Sequence, residues 1–183
     1  MKNELKNTAL LVMDVQPGII DRISNKDVYL SKVNNAVAVA HENNIPVIHV
    51  VVGFPDGFPE INPNNKSFSA IKNSIPAYLM NAKPVLDVVG NDVLVTKRRV
   101  SAFTGSDLEV VLRSKGIHHL VLSGIATSGV VLSTLREAAD KDYQITVLSD
   151  ICADMDEEVH RVLLEKVFPR QATVITSEHW IND

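Results

Sequence analysis

The segment VLSGIATSGVVLSTLREAAD, Val121–Asp140, contains the end of an apolar strand, a short turn and the start of a helix. The strand ends at Gly124, and the helix begins near Ser128. In open α/β sheets, ligands bind beyond the carboxyl ends of the strands, where turns of this kind lie. The segment therefore predicts an α/β fold and also the place where its chemistry would be found.

Apolar runs of strand length recur along the chain, with helical patterns between them. Continuous Val, Ile and Leu indicate strands that are covered on both faces. The alternation predicts a doubly wound, mainly parallel sheet with right-handed crossovers. In the second predicted helix, Ser106 is the expected N-cap, Glu109 its capping-box partner and Gly116 the glycine at the end. The predicted strands are residues 8–15, 46–54, 92–99, 118–126, 143–150 and 172–176, and the predicted helices are residues 29–44, 106–116, 128–142 and 156–168.

Residues 53–87 do not follow this alternation. They are rich in Pro, Asn and Gly, and only residues 69–73 indicate a short helix. A connection this long in a compact domain is typical of a lid or binding loop. The alternative is a mobile surface excursion.

Length and composition limit the classes of function. The 183 residues are enough for one domain, residues 1–183, and the net charge of -4 comes without a long basic run. We therefore expect no nucleic-acid or membrane partner. The single cysteine, Cys152, cannot form an internal disulfide. Together with an N-terminus that does not fit a signal peptide, this favours a cytoplasmic location.

Two ionisable residues follow predicted buried strands. Asp14 comes after five apolar residues, and Lys97 follows DVLVT at the end of the third strand. A buried carboxylate is costly unless a cation pairs with it, so Lys97 is the expected partner of Asp14. Such a pair is suited to general acid–base catalysis. The alternatives are a purely structural ion pair, or an aspartate that caps the next helix.

These residues lie within a wider resemblance. The segments LLVMDVQPG (10–18), VTKRRVSAFTGSDLEVVLRSKGIHHLVLSGIATSGVVLSTLREAAD (95–140) and VLSDICAD (147–154) resemble the isochorismatase-like, or cysteine hydrolase, superfamily. The resemblance implies a three-layer α/β/α fold with a six-stranded sheet, and a homo-oligomer, dimer or larger. It also implies a catalytic Asp after the first strand, a Lys after the third and a Cys at the start of the helix after the fourth. Asp14 and Lys97 match the first two.

The third position differs from the family pattern. The family cysteine lies six residues beyond the glycine that closes the strand, which is Val130 in this chain. Valine cannot act as a nucleophile, so the covalent amidase mechanism of the family is excluded. Cys152 follows a different strand and is expected to be an ordinary buried residue. True isochorismatases resemble this chain in lacking the cysteine, and they cleave a vinyl ether with water.

The turn and its surroundings supply the candidate substrate-binding residues. Ser128 fits an N-cap better than a nucleophile, since no histidine lies nearby in the sequence. The family often has a cis peptide just after the closing glycine, and we expect one between Ile125 and Ala126. We also expect backbone N–H groups near Gly129 to be free for an anion. The candidates are Gln16, Arg99, Phe103, Ile125, Ala126, Thr127 and Gly129; for Arg99, a surface salt bridge is the alternative, and for Phe103, core packing.

Metal and cofactor sites are not expected. Nicotinamidases of the family have an Asp and His cluster after the second strand, whereas FPDGFPEINPNN has no histidine and His49 stands alone within a strand. The other histidines lack metal-ligand spacing.

The sequence therefore predicts a hydrolase of isochorismatase type that acts on a small molecule. Asp14 and Lys97 would do the acid–base chemistry, and water would be the nucleophile. The alternative is a catalytically silent small-molecule-binding or scaffold protein that retains the hydrolase fold.

Overall fold

The computed structural model describes residues 7–74 and 82–182. Within these residues, six strands form one sheet in the order β3-β2-β1-β4-β5-β6. Every neighbouring pair is parallel, which confirms the doubly wound sheet. The strands are β1 (Thr8–Met13), β2 (Val47–Val52), β3 (Val93–Lys97), β4 (His119–Ile125), β5 (Gln144–Ala153) and β6 (Thr173–Ile175).

Helices cover both faces of the sheet, because the central strands are apolar on both sides. Helix α1 and the side chain of Trp180 from α6 pack on one face, and α3, α4 and the segment after α5 pack on the other. The two faces have separate apolar cores, so the molecule has the three expected layers. The helices are α1 (Lys26–Glu42), α2 (Lys66–Ser74), α3 (Leu108–Ser114), α4 (Leu132–Asp140), α5 (Glu157–Val162) and α6 (Ser177–Asn182).

The observed elements differ from the predicted ones in a few places. Strand β5 continues to Ala153 instead of ending at Asp150, because its register with β4 shifts between Leu122 and Gly124. Helix α6 was not predicted. The proposed capping box of α3 is wrong, since the Glu109 carboxylate contacts Arg113 and Lys141. Ser106 is also not the N-cap, which is Asp107, although Ser106 Oγ accepts a hydrogen bond from the Leu108 N–H. Gly116 follows the C-cap Lys115 with a φ of +62°.

Strand order places the site. The chain moves outward from β1 to β2 and β3 and then returns to the other side of β1 as β4. Strands β1 and β4 therefore flank the point where the order reverses, and ligands bind beyond the carboxyl ends of the strands at such a point in open α/β sheets. Asp14 follows β1 at this point, and the turn from the opening segment follows β4.

Candidate functional site

Asp14 and Lys97 meet across an intervening strand. Their strands, β1 and β3, lie on opposite sides of β2, so about 10 Å of sheet separates the two backbones. The four-carbon stem of Lys97 crosses the end of β2 and brings Nζ to 2.9 Å from Asp14 Oδ2. The two side chains are only 3% and 9% exposed. The expected ion pair is therefore present; whether it is catalytic stays a prediction.

The carboxyl group of Asp14 is only half satisfied. Its Oδ2 is paired with the Lys97 ammonium, whereas Oδ1 is buried and has no hydrogen-bond partner among the described residues. Burial raises the pKa of Asp14 above its usual range, and the Lys97 ammonium opposes this increase. The backbone turns away from the sheet here with a φ of +57°. A buried oxygen without a partner is suited to accept a proton, or to hydrogen-bond a ligand.

Lys97 has a second contact that orients it. Its Nζ donates a hydrogen bond to the carbonyl oxygen of Arg99 at 3.0 Å. The ammonium is thus held between a carboxylate and a backbone carbonyl, and it has three protons to donate in all. Contacts with the described residues use two of the three, so one donor position is left that could serve a substrate oxygen.

Gln16 is engaged with the neighbouring strand. Its Nε2 donates to the Val52 carbonyl at 3.0 Å, and its Oε1 accepts from the Val52 N–H at 2.7 Å. Gln16 is 1% exposed. The amide thus joins the ends of β1 and β2, and its predicted contact with a substrate stays a prediction.

Arg98 and Arg99 hold the long connection that follows β2. Arg99 donates to the carbonyl oxygen of Glu60 at 2.6 Å, and its guanidinium lies 5.6 Å from the Phe68 ring centroid. The salt bridge considered for Arg99 forms at Arg98 instead, with Nε 3.1 Å from Glu60 Oε1. Strand alternation did not reveal this arrangement, because both arginines lie beyond the end of β3. Whether Arg99 also binds a substrate stays a prediction.

The turn after β4 begins with an unusual backbone. Gly124 has a φ of +146°, and a Cβ at this position would clash with the carbonyl oxygen of Met13. The peptide bond between Ile125 and Ala126 is cis, as expected from the family resemblance. A π-helical turn, Thr127–Val131, then leads into α4. Turns of this kind often occur at functional sites.

Two backbone donors of this turn are already engaged, which corrects the expectation that they are free for an anion. The Ser128 N–H donates to Asp154 Oδ2 at 2.7 Å, and the Gly129 N–H donates to the Ala126 carbonyl at 3.1 Å. Ser128 is also not the N-cap, since the helical turn begins one residue earlier. A carboxylate of the protein itself thus lies where a substrate anion would bind.

Thr127 has a partner that the sequence did not reveal. Its hydroxyl Oγ1 lies 2.7 Å from Nδ1 of His160 on α5, and Thr127 is fully buried. His160 and Asp154 follow Thr127 and Ser128 by 33 and 26 residues. Little signal for this contact was present in the sequence, because the predicted fifth strand ended at Asp150 and only the observed β5, which ends at Ala153, places Asp154 at the same edge of the sheet.

Val130 and Phe103 belong to one buried cluster. Val130 is 2% exposed and Phe103 is 7% exposed, and both pack in the core on the α3 and α4 face of the sheet. The Phe103 ring lies 6.0 Å from that of Tyr143. Cys152 is part of the same core, and burial raises the pKa of its thiol to about 12. The thiol is therefore protonated and unreactive at neutral pH.

The described residues show no group of three or more His, Cys, Asp or Glu side chains that could hold a metal ion. His49 instead contacts Asp92, with Nε2 at 3.3 Å, and Asp92 also contacts His41 at 2.7 Å. A cavity of about 330 Å³ adjoins Asp92 at the amino ends of β2 and β3. It lies at the edge opposite to Asp14 and Lys97.

Known proteins of similar sequence come from one family. The sequence model described as the Isochorismatase domain matches residues 8–179. An uncharacterized isochorismatase family protein of Bacillus subtilis, YwoC, is 32% identical over 179 residues, which cover 97% of this chain and 94% of the relative. The ureidoacrylate amidohydrolase RutB of Caulobacter vibrioides is 32% identical over 177 residues, covering 79% of this chain and 76% of that protein.

A solved structure gives the same result. An isochorismatase family protein from Burkholderia thailandensis superimposes with a TM-score of 0.74 at 28% sequence identity, and the match covers 94% of this chain and 93% of that chain. Finally, no helix among the described residues is long and apolar enough to cross a membrane.

Proposed function

The chain belongs to the isochorismatase family, and from this premise we propose that it is a hydrolase of a small molecule in which Asp14 and Lys97 act on a substrate attacked directly by water. Water is the nucleophile because Val130 occupies the position of the family cysteine. The only thiol of the chain, Cys152, is buried and protonated.

One observation carries the proposal: the buried pair of Asp14 and Lys97 leaves one carboxylate oxygen without a hydrogen-bond partner among the described residues. The pair is 2.9 Å apart, yet Asp14 Oδ1 has no partner among residues 7–74 and 82–182. A pair that served only stability would gain from satisfying every polar atom, since an unpaired buried oxygen costs about 1–3 kcal/mol. The unpaired oxygen therefore favours a water or substrate donor at this point.

The pair can perform hydrolysis with a balanced set of steps. Asp14 takes a proton from water while the water oxygen bonds to the electrophilic carbon, and Lys97 donates a hydrogen bond to the oxygen on which negative charge develops. The bond to the leaving group then breaks, and the leaving group takes the proton from Asp14. Because burial raises the pKa of Asp14, its proton can be accepted and returned closer to neutral pH than that of an exposed carboxyl.

The substrate class follows from the same reasoning. A small amide or ester fits direct attack by water, whereas an enol ether would first have to take a proton on its β-carbon from the protonated form of Asp14, and water would then add to the resulting cation. The relationship to a ureidoacrylate amidohydrolase favours amides and ureides as the first compounds to screen. A substrate anion at the turn after β4 is disfavoured, because Asp154 lies there.

The experiment is a turnover screen with matched variants. We expect Asp14→Asn and Lys97→Met to lower kcat/KM by about a hundredfold or more, in line with loss of a general acid or base. Asp92→Asn is the control, because it removes another nearly buried carboxylate at the opposite edge of the sheet. Full activity in both site variants would refute the proposal.

The packing of Val130 supports a second candidate, a protein that binds a small molecule without turning it over. Val130 is 2% exposed within an apolar core, so it closes the place where a nucleophile would act. In that case, calorimetry would detect a ligand that is never converted. Asp14→Asn and Lys97→Met would then reduce stability and affinity only.

A further inference from the structure

Two side chains that follow β5 contact the turn between β4 and α4. His160 on α5 approaches Thr127, with 2.7 Å between Nδ1 and Oγ1. Asp154, just after β5, accepts the N–H of Ser128 at 2.7 Å. Adjacent residues of the turn are thus held from the same neighbouring segment. We refer to these two contacts as the turn brace.

Asp154 is itself held firmly. Its Oδ1 accepts the N–H of Met155 at 2.9 Å and that of Asp156 at 3.4 Å, while Oδ2 takes Ser128. A carboxylate with several N–H donors is well ordered and strongly bound. These donors, together with those of Ser128, lower the pKa of Asp154 below its usual value against the opposing effect of burial. The Asp154 carboxylate therefore stays charged at neutral pH.

The brace acts on the residues that form the site. The braced residues, Thr127 and Ser128, lie between the cis peptide bond and Val130, the position of the family nucleophile. Among the described residues, His160 is the hydrogen-bond partner of the Thr127 hydroxyl. Because Thr127 is fully buried, its hydroxyl has little access to water if that partner is lost.

We propose that His160, acting through Thr127, and Asp154, acting through Ser128, are positioning residues that fix the turn of the hydrolase site. The inference rests on the proposed function for the meaning of "site", but the geometry it predicts can be measured without any substrate. Neither side chain is assigned a contact with the reacting atoms.

The chain contains a matched control for the hydroxyl–imidazole contact. His119 at the start of β4 lies with Nε2 2.9 Å from Thr146 Oγ1, and Thr146 is 6% exposed. The chemistry and burial are similar to those of the brace. Seven residues of chain separate His119 from Ala126, which is about 23 Å of strand. Thr146→Val therefore removes an equivalent contact far from the turn.

The first experiment measures amide hydrogen exchange by NMR. We expect Thr127→Val to speed exchange at the amides of residues 128–131 at least tenfold relative to the amides of β1, while Thr146→Val changes that ratio less than threefold. Thr127→Ser keeps a hydroxyl and should restore protection. Asp154→Ala should expose the Ser128 amide, and Asp154→Asn should largely retain its protection. Equal effects of Thr127→Val and Thr146→Val on the turn would overturn the proposal.

The second experiment uses an introduced thiol as a reporter. In the Val130→Cys chain the introduced thiol replaces a side chain that is 2% exposed, so we expect iodoacetamide to alkylate it slowly, at a rate that reports how often the turn opens. Adding Thr127→Val or His160→Gln should raise the alkylation rate at pH 7 about tenfold, because a looser turn exposes the thiol more often. Thr127→Ser should leave the rate within twofold, and so should Thr146→Val.

The outcomes separate the two proposals. If Asp14→Asn and Lys97→Met keep full activity while Thr127→Val and His160→Gln speed both exchange and alkylation at the turn, the hydrolase proposal is refuted and the brace stands. If the thiol reacts but neither Thr127→Val nor His160→Gln changes its rate, the brace is refuted and the hydrolase proposal stands. Should Thr127→Val fail to fold, His160→Gln and Asp154→Ala provide the same comparison.

Discussion

At Asp14, burial and a neighbouring cation act on one carboxyl group in opposite directions. Burial favours the neutral form, and the Lys97 ammonium favours the charged form. The larger effect is burial, so the pKa of Asp14 lies above its ordinary value. A carboxyl in this state can exchange a proton without leaving its place in the structure, as a catalytic carboxyl must.

The balance can be tested by removing the cation. We expect Lys97→Met to reduce the free energy of unfolding by about 3–5 kcal/mol at pH 8, because it leaves a buried charge without a partner. The loss should shrink at pH 5. A carboxyl whose folded-state pKa is raised binds its proton in the native state before the unfolded state does, so acidification stabilises the variant. Urea unfolding at both values, followed by Trp180 fluorescence, measures the difference.

A surface ion pair provides the comparison. Lys32→Met breaks the contact with Asp150, where the two side chains are 46% and 19% exposed. The expected loss is below about 1 kcal/mol. Equal losses at pH 5 and pH 8 for Lys97→Met would contradict the raised pKa of Asp14.

Individual residues differed in how far the sequence revealed them. Asp14 follows β1 and Lys97 ends β3, and the carboxyl ends of parallel strands lie at the same edge of a sheet. Arg99 does not end a strand in this sense, because β3 stops at Lys97 and alternation no longer sets side-chain direction. Its partners lie on a connection whose path depends on packing between Phe54, Ile61 and Phe68. No local pattern encodes that path.

At the scale of elements, the close approach of β1 and β4 depends on a missing side chain. A Cβ on Gly124 would clash with the Met13 carbonyl and would lie 2.9 Å from the Met13 Cβ. The φ of +146° is also unfavourable for any residue with a side chain. Strand β4 can therefore approach β1 closely only with glycine here.

We expect Gly124→Ala to lower the free energy of unfolding by about 2 kcal/mol or more, through both the clash and the strained φ. Because Met13 adjoins Asp14, the Asp14–Lys97 contact should change as well. The control is Gly57→Ala, whose φ of +81° is also left-handed but whose Cβ would meet no atom within 4 Å. Chemical denaturation gives both values. A Gly124→Ala protein no less stable than Gly57→Ala would show that the clash is relieved by small movements.

The number of strands and their parallel pairing were predictable because strands covered on both faces read as continuous apolar runs. The extension of β5 to Ala153 was not, since it follows from a register shift against β4. Helix α6 was also missed. The Ser177 N–H at its start donates to Asp150 Oδ1 at 2.6 Å, a contact between residues 27 positions apart. Elements that depend on such distant partners carry little local signal.

For the molecule as a whole, one buried and two partly buried histidines link stability to pH. Burial lowers the pKa of His49, His119 and His160, and in His49 the Asp92 carboxylate opposes that effect. The unfolded chain therefore takes up protons near pH 6.5, before the native chain does. Stability from these residues is complete above that value and is lost as the pH falls toward their lower folded-state pKa values.

His49→Gln isolates one of these residues. We expect the decrease in unfolding free energy between pH 7.5 and pH 5 to become smaller in this variant, by about 1.4 kcal/mol for each unit by which folding depresses the pKa. Comparing slopes removes the opposite contribution of Asp14, which both proteins share. An unchanged slope in His49→Gln would contradict the prediction.

The amide of Gln16 has a consequence for the distance between acid and base. It presents an acceptor and a donor to Val52 in the way a residue of a neighbouring strand would, and Val52 is the register partner of Lys97. The Gln16 side chain thus continues the row of hydrogen bonds to β2 after the main chain has turned away from the sheet at Asp14. Gln16 therefore helps to set the distance that the Lys97 side chain must span, although its amide contacts neither charged group. Substitution of Gln16 would therefore change the distance between Asp14 and Lys97 without altering either charged residue.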